Sequence, residues 1–261
     1  MLDFKEWNKV FDYLRHRHDT WYVFKDFLNI VIDNFTIPDE TPMFKNDGKY
    51  NDDEIGWFGE LFQVYIQSMQ KILEKKNYCD FLGEWWESDQ NMTNKFKAQF
   101  FTPMNVCELM VSMCVSSDAK NNDVDGIQVM TDSCCGSGRF GIVYHDKRPY
   151  DWFFLADLDE YAVKMTIVNM LLHGMRGVVS WQNTLTEEVF GVWVVSPDLL
   201  CYAGLPYVVP YGTDLEGALA LLPKGNHVEA QKPEVKQVME TPSKQEVQAD
   251  DDIGGLDKWM K

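Results

Sequence analysis

The sequence predicts an α/β protein in which a helical region precedes an incomplete parallel β-sheet. Two observations predict this class. Apolar residues recur at helical spacing over the first 97 or so residues, and short β-type runs alternate with a helical segment after Gly126. With 261 residues, 45% of them hydrophobic, the chain can bury a core without disulfides. We divide it into a helical region at 1–97, an α/β domain at 98–222 and a tail at 223–261.

The helical region is predicted from one long amphipathic pattern. The apolar residues that recur at helical spacing, and so share one stripe of a long helix that we expect to face the core, are Phe58, Leu61, Phe62, Tyr65, Met69, Ile72 and Leu73. No metal site is predicted. In particular, the six cysteines form no CxxC pair and have no nearby Cys/His ligand spacing.

Three short apolar runs predict the strands of the α/β domain, at 127–131, 152–156 and 192–195. A helix is predicted between the second and third runs, with Asp159 as its N-cap and Gly174 just beyond its end. We expect these strands to be parallel. An exposed edge strand at 192–195 would either pair with another chain or be covered by the segment 202–222.

Charge and composition limit the partners. The formal net charge is −17, and most of it lies before residue 223, so DNA binding by the chain alone is expected to be weak. The tail at 223–261 is polar and contains Pro and Gly, which predicts a disordered acidic segment. No membrane span or secretory signal is readable, so we expect a cytoplasmic protein with no membrane association.

A glycine-rich turn follows the first predicted strand. Gly136-Ser137-Gly138-Arg139-Phe140-Gly141 fits G-x-G-x-x-G, and Asp157 stands nineteen residues after Gly138, where a carboxylate can accept both hydrogen bonds of a ribose diol. Asp132 precedes the glycines. It would repel a pyrophosphate but suits the amino and sulfonium groups of S-adenosylmethionine. Two alternatives remain. The glycine spacing alone would also fit a nicotinamide-dependent oxidoreductase. The same residues could also form a glycine-rich turn beside an exposed Asp, with no ligand bound.

The same loop resembles a known family. Residues 132–140, DSCCGSGRF, closely resemble the D-P-x-C-G-S-G loop of adenine-N6 DNA methyltransferases related to the modification subunits of type I restriction systems, with Ser133 in place of Pro. Residues 99–103 resemble the family's G-Q-F-F-T-P segment, which packs on the methionine end of the cofactor, with Ala98 in place of Gly. Residues 80–84 resemble its D-x-L-G-E stretch. Whatever the function, Thr102 as N-cap and Pro103 in the first turn would also start a helix.

The resemblance continues downstream and implies a Rossmann-like S-adenosylmethionine-dependent methyltransferase fold. Residues 157–174 are similar to the family's ribose-binding strand end and the helix after it, which implies that Asp157 binds the ribose and Leu158 lies against adenine. Asn183-Thr184-Leu185 stands where the family has G-D-S-L or G-N-T-L, which implies that Asn183 recognises the adenine amino group. The implied cofactor-binding residues are Phe101, Thr102, Pro103, Asp132, Cys134, Gly136, Ser137, Gly138, Asp157, Leu158 and Asn183.

The catalytic segment departs from the family pattern. Where the family has N-P-P-F/Y after a strand, this chain has Ser196-Pro197-Asp198-Leu199. Resemblance implies catalytic roles for Ser196, Pro197 and Asp198. A serine hydroxyl, however, can donate as well as accept, and Leu199 offers no ring on which a flipped base could stack.

Two functions are therefore expected from the sequence. The first is an S-adenosylmethionine-dependent DNA methyltransferase that acts on adenine N6. The alternative is a non-catalytic S-adenosylmethionine-binding or interaction subunit derived from such an enzyme. Few residues separate Val195 from the tail, so we expect a protein partner or an oligomer to complete the sheet or to supply target recognition.

Overall fold

The computed structural model describes residues 2–37, 41–88, 101–115, 126–196 and 205–223. The tail predicted at 223–261 lies outside these residues, except for Pro223. Within the described part, no helix is both long and apolar enough to cross a membrane. The elements in chain order are α1 (Lys5–Arg15), α2 (Thr20–Phe35), α3 (Asp52–Leu73), α4 (Phe81–Ser88), α5 (Met104–Cys114), β1 (Val129–Asp132), α6 (Arg139–Lys147), β2 (Trp152–Asp157), α7 (Glu160–His173), β3 (Arg176–Asn183), β4 (Glu188–Val195), β5 (Val208–Pro210) and α8 (Leu215–Leu219).

Helices α1 to α4 pack around a core of aromatic rings. The Trp7 ring lies 5.1 Å from that of Phe27 and 5.4 Å from that of Trp85, between ring centroids. The stripe predicted on α3 is confirmed in part. Phe58, Leu61, Tyr65 and Met69 are buried, and Phe62 and Ile72 are partly buried against the same core, whereas Leu73 at the end of the helix is 36% exposed. This core continues without a break into the face of the sheet that α7 covers.

Local sequence signals place α7 as predicted. The Asp159 carboxylate accepts the backbone N–H groups of Tyr161 and Ala162. Gly174 ends the helix at φ 68°, a left-handed conformation that suits glycine. Helix α5 differs slightly, because it begins at Met104 with Pro103 as the residue before it, so the N-cap predicted at Thr102 is off by one position.

The sheet contains five strands in the order β1-β2-β3-β4-β5. Strands β1, β2 and β3 are parallel, joined by α6 and α7, whereas β4 runs antiparallel to both β3 and β5. The expectation of a parallel strand at 192–195 is therefore wrong, and strand β3 was not predicted. The physical reason is the connection between β3 and β4, whose four residues, 184–187, are too few for a crossover and can only turn the chain back.

Strand β4 is not an exposed edge. Of the two predicted alternatives, covering by the segment 202–222 is confirmed, because β5 pairs with β4 and α8 packs against the same strand. Among the described residues, β1 is paired with β2 alone, so the sheet ends at β1 on one side and at β5 on the other. The result is a mixed α/β fold with an open sheet, consistent with a Rossmann-like arrangement in its first three strands.

Candidate functional site

The carboxyl ends of three parallel strands meet at one edge of the sheet. Asp132 ends β1, Asp157 ends β2 and Asn183 ends β3. Open α/β sheets bind ligands beyond this edge. The site is therefore built from the loops that follow these strands.

The loop after β1 is shaped by two glycines. Gly136 has φ 58° and Gly138 has φ 82°, values that residues with a Cβ rarely adopt. A Cβ on Gly138 would also lie 3.1 Å from the Thr166 hydroxyl. Helix α6 starts directly after Gly138, and the Cys135 amide donates to the Ala156 carbonyl at 2.9 Å, which ties the loop to β2.

Asp157 fastens this loop to the start of α7. One carboxylate oxygen accepts the Gly136 amide at 2.8 Å, and the other accepts the Asp159 amide at 2.9 Å. Burial raises the pKa of the Asp157 carboxyl, and the backbone hydrogen bonds from Asp159 and Gly136 oppose that rise. A carboxylate has about four lone-pair positions. Two of them accept the amides of Gly136 and Asp159, which leaves acceptor capacity for the two hydroxyls of a ribose.

A cavity of ≈ 120 Å³ lies between the glycine loop and the residues before α5. It brings together six of the predicted cofactor-binding residues, and Cys135, Arg139 and Phe140 complete its wall. The six are Phe101, Thr102, Asp132, Cys134, Gly136 and Asp157.

Phe101 covers the bend of the loop. Its ring sits so close to Gly136 that a Cβ there would lie 2.7 Å from a ring carbon. The Arg139 guanidinium lies over the Phe101 ring, and its central carbon is 5.7 Å from the ring centroid. A ligand that approached the main chain at Gly136 would therefore meet the Phe101 ring first.

The remaining predicted cofactor residues lie around the cavity rather than in its wall. Leu158 is next to Asp157 and is 58% exposed, so it offers an apolar surface beside the carboxylate. The Asn183 side-chain oxygen accepts the amides of Leu185 and Thr186, so it stabilises the turn between β3 and β4. Pro103 is exposed at the start of α5.

Ser137 does not face the cavity. It is fully buried, and its hydroxyl donates to the Asp80 carboxylate at 2.6 Å. Asp80 also accepts from Arg139 Nε at 2.9 Å and from Asn169 Nδ2 at 2.9 Å. This buried network joins α4, the glycine loop and α7. Asp80 is the first residue of the stretch that resembles D-x-L-G-E, but the resemblance does not predict that it accepts hydrogen bonds from the glycine loop and from α7.

Arg139 extends the same network to the cover of the cavity. Its guanidinium donates to the Thr102 carbonyl at 3.1 Å and to Glu87 at 3.1 Å. Glu87 in turn accepts the Phe101 amide at 3.0 Å. Asp80, Arg139 and Glu87 therefore hold the segment that begins at Phe101 over the glycine loop. The sequence prediction does not include Arg139, although the residue lies inside the glycine motif.

Ser196, the one described residue of the predicted catalytic segment, lies at the opposite end of the strands from the glycine loop. Val195 pairs with Gly177 at the beginning of β3, while Asp157 pairs with Trp181 near its end. At about 3.3 Å per residue, roughly 13 Å of β3 separates these two levels. Since β4 is antiparallel, Ser196 leaves the sheet away from the glycine loop, and the structure does not bring it to the predicted cofactor residues. Pro197 and Asp198 lie outside the described residues.

Ser196 itself is enclosed. It is 1% exposed, has φ 46°, and its hydroxyl has no hydrogen-bond partner among the residues that the structure describes. Its amide donates to the Tyr207 carbonyl at 2.8 Å, which continues the pairing of β4 with β5. A buried hydroxyl in this position cannot reach a substrate in solvent.

Comparison with protein-family models identifies the family of this chain. A family model described as N-6 DNA methylase matches residues 79–216, which is just over half of the chain. The match begins beside Asp80 and includes the glycine loop, Asp157 and Ser196. No curated protein and no solved structure matches.

Proposed function

Because the chain belongs to the N-6 DNA methylase family, we propose that it binds S-adenosylmethionine at the glycine loop and does not transfer methyl groups to DNA by itself. The observation that carries the first part is the Asp157 carboxylate, held against Gly136 at the carboxyl edge of the parallel strands. The observation that carries the second part is the position of Ser196 at the other edge.

The residues at the loop fit the chemistry of this cofactor. Asp157 keeps acceptor capacity for the ribose hydroxyls, and the Asp132 carboxylate in the cavity wall suits the positively charged ammonium and sulfonium groups of the cofactor. The cavity is smaller than the 300–1,000 Å³ usual for small-molecule sites, so the adenosyl part would lie outside it, against the exposed Leu158 side chain. When bound, S-adenosylmethionine supplies a methyl group on a positively charged sulfur.

A second candidate is an adenine-N6 DNA methyltransferase that works with a partner protein. One observation favours it: in the described part of the chain, β1 pairs on one side only, next to the glycine loop. A strand from a partner could extend the sheet there and carry the catalytic groups, together with the positive surface that DNA binding needs and this acidic chain lacks.

Calorimetry tests the binding proposal. We expect the purified full chain to bind S-adenosylmethionine and its demethylated product, and Asp157→Ala to weaken both by at least about 100-fold, because two hydrogen bonds to a charged group are lost at about 1.5–3 kcal/mol each. Asp12→Ala is the matched control, an exposed acidic residue on α1 whose removal should leave the affinity unchanged. Absence of binding to either compound refutes the proposal.

A methyl-transfer assay separates the two candidates. With labelled S-adenosylmethionine and adenine-containing DNA, we expect no transfer by the chain alone. Transfer that appears only on adding the product of a neighbouring gene supports the partner-dependent enzyme. Transfer by the chain alone contradicts the proposal, and its loss in Ser196→Ala would show that Ser196 can reach the substrate after all.

A further inference from the structure

The segment that covers the glycine loop is closed in this structure. We call its three residues, Phe101, Thr102 and Pro103, the strap. The Phe101 ring is 7% exposed and fills the space beside Gly136 from which a ligand would approach the main chain of the loop. The cavity left between the strap and the loop has ≈ 120 Å³, compared with about 300–1,000 Å³ in the usual small-molecule site. A ligand therefore reaches the main chain of Gly136 only when the Phe101 ring moves.

Glu87 and Arg139 bind the main chain of the strap. One Glu87 oxygen accepts the Phe101 amide at 3.0 Å, and the Arg139 guanidinium donates to the Thr102 carbonyl at 3.1 Å. The other Glu87 oxygen accepts from Arg139 at 3.1 Å. The two side chains and the strap thus form a cyclic set of hydrogen bonds, which holds the Phe101 ring against the loop.

The two side chains of this set differ in their exposure to solvent. The Arg139 side chain is 5% exposed and also donates to the fully buried carboxylate of Asp80, whereas the Glu87 side chain is 30% exposed. Breaking a buried ion pair leaves a charge without compensation, while an ion pair in contact with water is exchanged for hydration at little cost. The strap is therefore released most easily at Glu87, and Arg139 stays in place against Asp80.

We propose that the strap is a gate over the cofactor site and that Glu87 is its latch. The proposal rests on the proposed function, since it concerns the access of S-adenosylmethionine to the glycine loop. When water replaces the bonds to Glu87, Phe101 leaves Gly136 and the main chain of the loop is open to the ligand. Arg139 remains in position to bind the Thr102 carbonyl again. The fraction of chains with an open strap then sets the rate at which the ligand binds.

A latch and a residue that binds the cofactor predict opposite effects when Glu87 is removed. If Glu87 bound the cofactor, its loss would slow association or speed up dissociation. As a latch, Glu87 stabilises only the closed strap, so its loss raises the open fraction and association becomes faster. A variant that merely damaged the site would also bind more slowly.

Surface plasmon resonance on the immobilised full chain measures the association rate constant of S-adenosylhomocysteine. We expect Glu87→Ala to raise this constant at least about tenfold, because hydrogen bonds to a charged group no longer hold the strap closed. Glu87→Gln keeps one acceptor oxygen and should give a smaller rise. Glu60→Ala is the matched control, an exposed glutamate on α3 that should leave the constant unchanged. Association by Glu87→Ala that is no faster than in the unchanged chain overturns the proposal.

Hydrogen exchange followed by mass spectrometry tests the gate without a ligand. The Gly136 amide donates to Asp157, and Glu87→Ala leaves this bond intact, so faster exchange at 133–138 reports that the loop is uncovered. We expect faster exchange there in Glu87→Ala and no change in Glu60→Ala. Equal exchange in Glu87→Ala and in the unchanged chain overturns the proposal.

The two measurements also separate the gate from the cofactor site. If S-adenosylhomocysteine binds to none of these chains, the proposed cofactor function fails, and the exchange result alone decides on the gate. If it binds and Glu87→Ala does not speed up its association, the cofactor function stands and the gate fails. Thermal unfolding of each variant checks that it is folded.

Discussion

Removing the Asp80 carboxylate should destabilise the whole protein, because it is the centre of the network under the glycine loop. Asp80 is fully buried and accepts four hydrogen bonds, from Ser137, Arg139, Asn169 and the Gly83 amide. The substitution Asp80→Ala leaves these four donors without their acceptor.

The size of the effect is set by Arg139, whose side chain is 5% exposed. Breaking a buried ion pair by removing one partner costs about 3–5 kcal/mol, because the remaining charge is buried without compensation. Arg139 keeps its bonds to Glu87 and to the Thr102 carbonyl, which favours the lower end of that range, about 3 kcal/mol. A loss of that size is a large part of the 5–15 kcal/mol by which domains are usually stable.

Urea unfolding followed by tryptophan fluorescence measures the loss, with the free energy extrapolated linearly to water. Asp12→Ala is the control, since Asp12 pairs with Arg15 at the surface and should cost less than about 1 kcal/mol. The double variant Asp80→Ala/Arg139→Leu should recover part of the loss, because no charge is then left buried. A loss below about 1 kcal/mol for Asp80→Ala would refute the idea that this network holds the loop in place.

Three other predictions concern stability. Gly138→Ala should lower the unfolding free energy by more than Gly48→Ala in the same urea assay, because both glycines have φ near 80° but only Gly138 faces the Thr166 side chain; equal losses would contradict this. Burial lowers the pKa of His145 from 6.5 to about 4. As the pH drops through this window, the unfolded chain takes up a proton that the folded chain does not. The free energy of unfolding should therefore fall by about 1–3 kcal/mol. His145→Phe should remove this part of the pH dependence in unfolding curves, and an unchanged dependence would be the contrary result. Ser196→Gly should raise the unfolding temperature, because it relieves φ 46° and removes a buried hydroxyl that has no partner in the described part of the chain; a lower value would mean that the side chain contributes favourably.

Local patterns in the sequence predict the loop and the helix after it. The glycines, Asp157, Asp159 and Gly174 each act within a few residues of their own position or at the end of a neighbouring strand, so spacing alone places them. The family pattern adds Phe101 and Thr102, which the structure brings to the same cavity.

Strand direction could not be predicted in the same way. Strand β3 was missed because Ser180 and Gln182 interrupt its apolar pattern, although both are buried and satisfy each other through a hydrogen bond of 2.9 Å. Without β3, the run at 192–195 has the pattern of the next parallel strand, which would put Ser196 at the same end of the strands as the glycine loop; the antiparallel strand of the structure puts it at the other end. The direction of β4 depends on the length of its connection to β3, and this length is unknown when the end of β3 is not predicted.

Contacts between segments that are distant in the chain also could not be predicted from the sequence. Asp80 meets Ser137 and Asn169 only after α4 packs on the glycine loop and α7, and no local pattern records this. The same holds for the cavity of ≈ 440 Å³ at Asn29, whose lining comes from α2, α7, the β3–β4 hairpin, the residues at 41–43 and the residues at 210–213. Such sites are set by packing, which periodicity does not describe.

The most direct test of the cofactor site is a crystal structure of the full chain with S-adenosylhomocysteine. We expect both ribose hydroxyls within hydrogen-bond distance of the Asp157 carboxylate and the Phe101 ring in contact with the ligand. A ligand bound elsewhere, with Asp157 still satisfied only by the amides of Gly136 and Asp159, would contradict the proposed site.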